Sequence, residues 1–561
     1  MPSAPPEIDE AAPAAPVADN DALDRIRAKL IRPLPTDRLR GWLLPLAVMV
    51  LAGIARFWRI TRPGGHTLTT KNDLVFDETY YAHDSWTLLH HGAEGNGPGT
   101  GPGFVAHPPL GKWMMAVGEV LFDHGKQVVL TTKSNGTISH TIYPASPFSY
   151  RFAGAVVGTL AILMVARVAR RMFHSTALGV IAGGLLSLDG LEFVQSRTAM
   201  LDIFLMFWVL AAFCCLVIDR DDGRRRLAER LTAPLDPDRW GPSLGFRPWR
   251  LAAGICIGAA CGTKWDGAFY IPAFIILALA WDIGARRTAG VSNGAWRGTV
   301  YAGVPAAVTF LVMPAVVYVA CWTGWFMSNA TYAYYHDMYV HSGQSWFSHD
   351  WAVFHGWWFY QQQIWGYANN LTWIKNPHPY LSRPWGWLLM ARPVAYYYQS
   401  PSGCGAAKCS QEVLGIGNPA LWWATIPAFI AVAWAWVARR DWRASAVLLM
   451  FLAGYLPWFR EDMHKRVMFF FYMLPEVPLM VLGVTMCIGM VLRQRSASTV
   501  RRTIGMSSVA VYLVSVVVLF GYFYPILAAD TITYNQWYDR MWLHHCQSKP
   551  NTHTENAPCW I

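Results

Sequence analysis

Long apolar segments alternate with polar segments along almost the whole chain. Most of the apolar segments approach the roughly 20 residues that a helix needs to cross a bilayer core, and shorter ones can cross a thinned or tilted arrangement. The pattern therefore predicts an all-α polytopic membrane protein with about eleven transmembrane helices. The predicted spans are 42–58, 152–168, 177–193, 200–218, 251–262, 268–283, 301–322, 420–438, 444–458, 467–492 and 504–524.

Clusters of arginine follow alternate spans and therefore mark one side of the membrane. Under the positive-inside rule these connections face the cytoplasm. The N-terminus is then cytoplasmic, and the C-terminus lies outside together with the other connections. The basic clusters fall within 167–171, 220–226, 286–297, 439–443 and 493–502, and a further basic stretch, 25–40, precedes the first span.

The remaining polar segments divide the chain into regions. Residues 1–40 begin with a stretch rich in Pro, Ala and acidic residues, which predicts a disordered cytoplasmic tail. Residues 41–561 form the predicted transmembrane domain. Its outer loops, 59–151 and 323–419, are too long to be simple connections. Residues 525–561 form a C-terminal outer segment.

Composition agrees with a membrane protein and argues against a nucleic-acid partner. Of the 561 residues, 54% are hydrophobic and only 14% are charged. The formal net charge of +11 comes from short clusters between apolar segments, not from one basic patch. Membrane lipid is therefore the expected surrounding partner, and no nucleic acid is expected.

Four cysteines lie outside the predicted spans as two close pairs, Cys404 with Cys409 and Cys546 with Cys559. Local disulfides and free thiols are both compatible with these spacings. No spacing of Cys and His is typical of a zinc site. The sequence thus predicts no metal site.

An acidic pair opens the first outer loop in "LVFDETYYAHDSW", where Asp77 and Glu78 precede a helical pattern. The following "HPPLGKWMMAVGEVLF" carries an apolar stripe over about 14 residues, so we expect a helix that lies in the membrane interface. The two helices would hold the acidic pair, His107 and Lys112 near the lipid head groups. Helix capping by Asp77 and snorkelling of Lys112 remain alternatives.

Other charged residues fall at the outer ends of spans. They are Arg151, Arg197, Asp202 and Lys264, and ionisable groups at membrane depth usually line a cavity or find a partner. An ion pair between Arg197 and Asp202 is the structural alternative. The outer loop 460–466 is basic on the side where basic residues are scarce, which a bound phosphate would explain.

Together these residues indicate a carboxylate base beside a lipid-linked phosphate. A sugar transfer with inversion needs a group that accepts the proton of the acceptor hydroxyl while the phosphate departs. Arg and Lys side chains can stabilise the charge on that phosphate, so we expect neither a metal nor any other cofactor.

An ordered set of motifs resembles the protein O-mannosyltransferases. It comprises the Asp77–Glu78 pair, "HPPLGK" from His107, "SRTAMLD" from Ser196, "GTKWDG" from Gly262, "HPYLSRPWGW" from His378 and "LPWFR" from Leu456. The resemblance covers nearly the whole chain after its tail. It implies a GT-C glycosyltransferase fold of eleven transmembrane helices.

The resemblance also implies an activity: mannose transfer, with inversion, from a polyprenyl phosphate to Ser or Thr of proteins that emerge from the translocon. Eukaryotic members carry a β-trefoil domain in the long outer loop, and 323–419 is too short for it. The chain therefore looks like the bacterial form, placed in the plasma membrane with its active site outside.

By the family pattern, Asp77 would be the base or the acid that positions the acceptor, and Glu78 its neighbour at the acceptor or sugar. The residues assigned to the phosphate and sugar of the donor are His107, Lys112, Arg151, Arg197, Asp202, Lys264, Arg383 and Arg460.

Two other functions remain open at this point. A related transferase could move lipid-linked aminoarabinose or arabinose onto a glycolipid, although "HPPLGK" after the acidic pair favours protein mannosylation. A transporter of lipid-linked sugar would also need intramembrane charges. It should show related halves, and the sequence shows no such symmetry.

Overall fold

The computed structural model describes residues 18–95, 106–134, 137–232, 240–328, 349–372, 375, 378–492, 498–543 and 560. Within these residues, eight helical segments are long and apolar enough to cross a membrane, which confirms a polytopic helical protein. The predicted number of about eleven stays a prediction. The eight segments are Arg40–Phe57, Pro147–Phe173, Asp202–Arg230, Trp265–Thr288, Pro419–Arg439, Trp442–Met463, Phe470–Leu492 and Thr499–Leu527.

The helices and strands of the first half follow in chain order. They are α1 (Ala18–Leu30), α2 (Arg40–Phe57), α3 (Glu78–His91), α4 (Leu110–Phe122), β1 (Gln127–Ser134), β2 (Thr137–Pro144), α5 (Pro147–Phe173), α6 (Thr176–Ser187), α7 (Gly190–Gln195), α8 (Asp202–Arg230), α9 (Pro248–Thr263), α10 (Ile271–Thr288) and α11 (Ala295–Cys321).

The second half continues with shorter helices and one small sheet. Its elements are α12 (Thr323–Met327), α13 (His349–Asn370), α14 (Pro384–Trp387), β3 (Val394–Gln399), β4 (Cys409–Gly415), α15 (Pro419–Arg439), α16 (Trp442–Tyr455), α17 (Pro457–Met463), α18 (Val477–Leu492), α19 (Thr499–Leu527), β5 (Ile532–Thr533) and α20 (Tyr534–Tyr538). Turns of 3-10 helix at Lys71–Asp73, Trp265–Tyr270 and Phe470–Glu476 complete the described elements.

Polar residues set several of the helix boundaries. The predicted span 177–193 is divided into α6 and α7 because the Asp189 carboxylate accepts a hydrogen bond from the Glu192 backbone N–H at 2.9 Å and begins a new helix. Ser146 and Asn418 cap α5 and α15 in the same way, each followed by a proline at the first helical position. The core forms where α5 packs on α6 and α8, and α8 packs on α9.

The structure corrects the predicted disorder of residues 1–40. Residues 18–30 form α1, in which Leu23 and Leu30 are buried against Leu227 of α8 and Ala285 of α10. Their spacing of seven residues places both leucines on one face of the helix. A disordered tail was therefore the wrong prediction for residues 18–30, and residues 1–17 lie outside the described part of the chain.

The first outer loop contains both predicted surface helices, α3 and α4. The outward face of α4 carries Val117, Val120 and Leu121, each more than half exposed, as an interfacial helix requires. The antiparallel hairpin of β1 and β2, in which Gln127 lies opposite Pro144, was not predicted.

The second outer loop and the C-terminal segment share a three-stranded sheet in the order β3, β4, β5. A disulfide joins Cys404 to Cys409 in the β3–β4 connection, as one of the two open alternatives predicted. Cys546 and Cys559 lie outside the described residues. Trp537 anchors the C-terminal segment by donating a hydrogen bond to the buried Glu412 carboxylate at 2.6 Å.

Candidate active site

Asp77 occupies the N-cap position of α3, yet its side chain makes no capping hydrogen bond. The preceding residue, Phe76, has a φ of 49°, a conformation that side chains other than glycine rarely adopt. The ring of Phe76 stacks on Tyr396 at a centroid distance of 5.1 Å and contacts Phe469 and Phe471 edge-on. The aromatic cluster therefore fixes an unusual backbone next to Asp77, and the capping alternative does not describe its carboxylate.

Glu78 and Arg151 form a fully buried, two-pronged ion pair. Arg151 donates Nε and Nη2 to the two oxygens of Glu78, at 2.7 Å each, and both side chains are 0% exposed. Glu78 also accepts the backbone N–H groups of Val75 and Ala199 at 2.9 Å. Arg151 Nη1 donates to the carbonyl of Ile60. This network joins the loop after α2, the start of α3, α5 and the turn before α8.

Asp77 has no Lys or Arg partner at ion-pair distance within the described residues, although it is only partly exposed. Burial and the nearby Asp202 carboxylate raise the pKa of Asp77 to about 7. Lys264 and a hydrogen bond from Tyr81 act in the opposite direction. The two neighbouring acids therefore differ. Glu78 is neutralised by Arg151, whereas Asp77 can exchange a proton near neutral pH.

Asp202 pairs with Lys264 and not with Arg197. Lys264 Nζ donates to Asp202 at 2.9 Å, lies 3.7 Å from Asp266 and sits 4.6 Å above the ring of Tyr472. Arg197 donates to the carbonyls of Ala55 and Arg59 and packs over the ring of Phe193 at 4.9 Å.

The alternative of an Arg197–Asp202 ion pair does not describe these residues, because Arg197 reaches the end of α2. Arg197 fixes that end of the helix, and Lys264 is the cation beside Asp202 and Asp77.

Lys112 is also buried and paired. Its Nζ lies 2.7 Å from Glu94 and 3.5 Å from Asp84, and it donates to the carbonyl of His107 at 3.2 Å. A snorkelling side chain would reach water, so this alternative does not describe Lys112. The His107 ring lies 6.2 Å from the Tyr81 ring. Burial and the cations Lys264, Lys112 and Arg466 keep the pKa of His107 well below its usual range, so its imidazole is neutral at pH 7.

The two arginines assigned last lie at the edge of this group. Arg383 Nη1 is 4.0 Å from Asp462, and its guanidinium packs over Trp385. The Arg460 side chain is 71% exposed and has a weak contact with Glu461 at 3.6 Å. Neither contact links these side chains directly to Asp77.

Arg466, Asp266 and Tyr472 belong to the site but were not assigned to it from the sequence. Arg466 lies within electrostatic range of His107, pairs with Glu461 at 3.4 Å, and its guanidinium packs over Trp458 at 5.7 Å. The basic character of loop 460–466 was the available signal. That signal could not distinguish the exposed Arg460 from the largely buried Arg466.

Two family models match consecutive parts of the chain. "Dolichyl-phosphate-mannose-protein mannosyltransferase" matches residues 46–332, and "C-terminal four TMM region of protein-O-mannosyltransferase" matches residues 353–546. The chain belongs to the protein O-mannosyltransferase family. The resemblance noted in the motifs is thereby confirmed, and the first family model contains every assigned residue except Arg383 and Arg460.

Bacterial members of the family resemble this protein O-mannosyltransferase along most of their length. This chain is 36% identical over 514 residues to the polyprenol-phosphate-mannose–protein mannosyltransferase of Mycolicibacterium smegmatis strain MKD8. The aligned residues cover 91% of this chain and 93% of the relative. The protein of the same name from Corynebacterium glutamicum is 30% identical over 511 residues, 87% of this chain and 91% of the relative.

A solved structure shows the same fold. The S. cerevisiae protein O-mannosyltransferase Pmt1-Pmt2 complex bound to the sugar donor superimposes with a TM-score of 0.66 at 14% identity, covering 94% of each chain. The predicted GT-C fold is confirmed for this protein O-mannosyltransferase. Within the described residues, no group of three or more His, Cys, Asp or Glu side chains could hold a metal ion.

Proposed function

We propose that this chain transfers mannose from polyprenyl-phosphate-mannose to Ser or Thr hydroxyls of proteins, with inversion at the sugar carbon. Family membership and the names of the bacterial relatives support the donor and the acceptor class. The observation that carries the proposal is the Asp77 carboxylate, which no cation neutralises within the described residues and which lies within electrostatic range of Lys264.

In the proposed reaction, Asp77 takes the proton of the acceptor hydroxyl. The hydroxyl oxygen forms a bond to the anomeric carbon while the bond from that carbon to the phosphate oxygen breaks on the opposite face. The bonding electrons leave with the phosphate. A pKa of Asp77 near 7 suits this role, because general bases work best when their pKa lies close to the working pH.

We assign Lys264 and Arg466 to the departing phosphate. The phosphate gains negative charge as the bond breaks, so fixed cations stabilise the transition state more than the ground state. Lys264 is held in place by Asp202, and neutral His107 can donate one hydrogen bond without adding charge. Arg383 and Arg460 remain proposed contacts for the donor head group at the rim.

We assign positioning roles to the paired residues. Arg151 and Glu78 satisfy each other and fix the loop that carries Asp77, while Arg197 fixes the end of α2. Lys112 joins α4 to the acids of α3 and its following turn. In this account Glu78, Arg151, Arg197 and Lys112 act on the reaction through the geometry they impose.

We further propose a plasma-membrane enzyme of a bacterium that needs no metal, with its N-terminus in the cytoplasm and its active site outside, acting beside the translocon. The test incubates membranes containing the chain with radiolabelled polyprenyl-phosphate mannose, a Thr-rich, Pro-containing peptide and a chelator. Label on the peptide in a linkage opposite to that of the donor is expected. Label in a glycolipid, or movement of the labelled lipid across the membrane without transfer, would instead support the alternative transferase or the transporter.

A further inference from the structure

A cavity of about 1080 Å³ lies at the end of the helix bundle that carries α1. It is formed by the segment between α1 and α2 together with the ends of α5, α8, α10 and α16. None of the residues assigned to the active site lines it. The positive-inside rule assigns this end of the bundle to the cytoplasm.

The charges around this cavity do not balance. Nine Lys or Arg side chains line it, against two Asp side chains. Asp221 already accepts Arg171 and Arg220, at 2.9 Å each. Asp222 is held by Arg225 and by Arg226, the latter at 2.8 Å. The acids are thus committed, as is Asp37, which accepts the lining residue Arg170 at 2.9 Å, and the remaining lining cations leave a net positive charge at the cavity.

Two of the cations, Arg32 and Arg38, have no side-chain hydrogen bond or ion pair with any described residue, and both are exposed. Arg32 lies within electrostatic range of Arg220 and Arg224, which repel it, and of Asp441, which already accepts Arg443. A bound anion would remove this repulsion. Phosphate suits the site because guanidinium groups bind its oxygens in pairs.

The rim of the cavity carries exposed aromatic and aliphatic side chains of the kind found at a membrane surface. Trp42 and Trp249 line it and are 49% and 42% exposed, and Ile31 and Leu34 are similarly exposed. Tryptophan is enriched where the bilayer meets water. Arg167 packs 3.6 Å above the Trp42 ring, which places a cation directly at this rim. Apolar rim residues would contact acyl chains, whereas a soluble anion would gain nothing from them.

We propose that this cavity binds the phosphate head group of an anionic lipid from the cytoplasmic leaflet. The arginines take the phosphate, and the exposed Trp42, Trp249, Ile31 and Leu34 side chains lie against the acyl chains. Because α1 and the segment after it form one wall, the lipid links the N-terminal segment to the bundle. The proposal is independent of the sugar transfer at the other end of the molecule.

The test measures lipid binding to the purified full-length protein in neutral detergent by native mass spectrometry. Phosphatidylglycerol is titrated against phosphatidylcholine for the wild type, for Arg32→Gln/Arg38→Gln and for Arg287→Gln/Arg297→Gln. The last variant is the matched control, because it removes two exposed charges from the same side of the protein but outside the cavity. Arg32→Lys/Arg38→Lys keeps the charge and guards against a folding defect.

Preferential binding of phosphatidylglycerol by the wild type is expected. Each basic side chain near an anionic surface contributes about a factor of five, so the Arg32→Gln/Arg38→Gln variant should bind roughly 25-fold more weakly. The control should stay within about twofold of the wild type, and the lysine variant, which keeps the charge but not the paired guanidinium contacts, should bind more tightly than the glutamine variant and no more tightly than the wild type. Equal binding by the glutamine variant, or equal weakening of the control, would overturn the proposal. Displacement of the lipid by millimolar inorganic phosphate would overturn the lipid assignment in favour of a soluble anion.

Discussion

The two ends of this protein differ in how far their positive charges are neutralised. At the end that carries Asp77, Arg151 is matched by Glu78 and Lys264 by Asp202, at distances of 2.7 and 2.9 Å. At the end that carries α1, four of the nine cations that line the cavity pair with Asp37, Asp221 or Asp222, whereas Arg32 and Arg38 have no hydrogen bond or ion pair with any described residue. The charges around Asp77 are therefore compensated within the protein, whereas the cavity keeps cations that a ligand could neutralise.

This difference follows from what each end has to do. A site for group transfer needs fixed groups, because a side chain that must reorganise during the reaction loses part of its benefit. Internal partners supply that rigidity around Asp77, which itself has no cation at ion-pair distance within the described residues. A site that only retains a lipid head group can leave its cations for the ligand to neutralise.

The largest expected effect is the loss of stability when the buried ion pair of Glu78 and Arg151 is broken. Arg151→Ala would leave Glu78 as an uncompensated charge at a position with 0% exposure. Removing one partner of such a pair costs about 3–5 kcal/mol of stability. Thermal denaturation of the purified protein measures the loss. Glu78→Gln/Arg151→Met removes both charges and should recover a large part of it; equal instability of the single and double variants would show that the pair is not the cause.

The pH profile should report the titration of Asp77. A base must be ionised to accept the proton, so kcat/KM should fall about tenfold for each pH unit below pH 7 and level off above it. Initial rates of peptide mannosylation between pH 5 and pH 9 provide the measurement. A profile that is flat down to pH 5 would contradict the raised pKa or the role of Asp77 as base.

A smaller loss of transfer rate is expected when either arginine of loop 460–466 is replaced, and the two losses should differ. Arg466→Gln removes a cation that lies within electrostatic range of His107 and is assigned to the departing phosphate, and the rate should fall about tenfold. Arg460→Gln removes a side chain that is 71% exposed, and the rate should change less than about threefold. Parallel single-turnover assays measure both. Equal losses in the two variants would place the phosphate nearer the rim than proposed.

Sequence patterns predicted the helical membrane fold because apolar length and arginine placement are read directly from the chain. They also located Asp77, Lys264 and the two surface helices. The sequence did not show which charged side chains pair with each other. Arg197 and Asp202 are only five residues apart, but Arg197 binds the end of α2 and Asp202 binds a lysine 62 residues away. Such pairings depend on how the helices pack, which local spacing does not encode.

The N-terminal segment shows a second limit. Its composition indicated disorder, but Leu23 and Leu30 supply a small apolar face that becomes stable only against α8 and α10. The hairpin β1–β2 was missed although its strands have eight residues each, because it lies between two stronger helical patterns.

The central claim is that Asp77 is the base of a sugar transfer, and Asp77→Asn tests it most directly. Because the folded pKa of Asp77 is raised from 3.8 to about 7, ionising this carboxylate lowers stability as the pH rises through that interval. The asparagine variant should therefore be at least as thermally stable as the wild type at pH 8.

Single-turnover transfer of labelled mannose to peptide, with matched amounts of folded wild type and Asp77→Asn at pH 8, is the decisive measurement. We expect the rate to fall at least about a hundredfold while thermal stability is unchanged or higher. Transfer by the folded variant at the rate of the wild type would contradict the account.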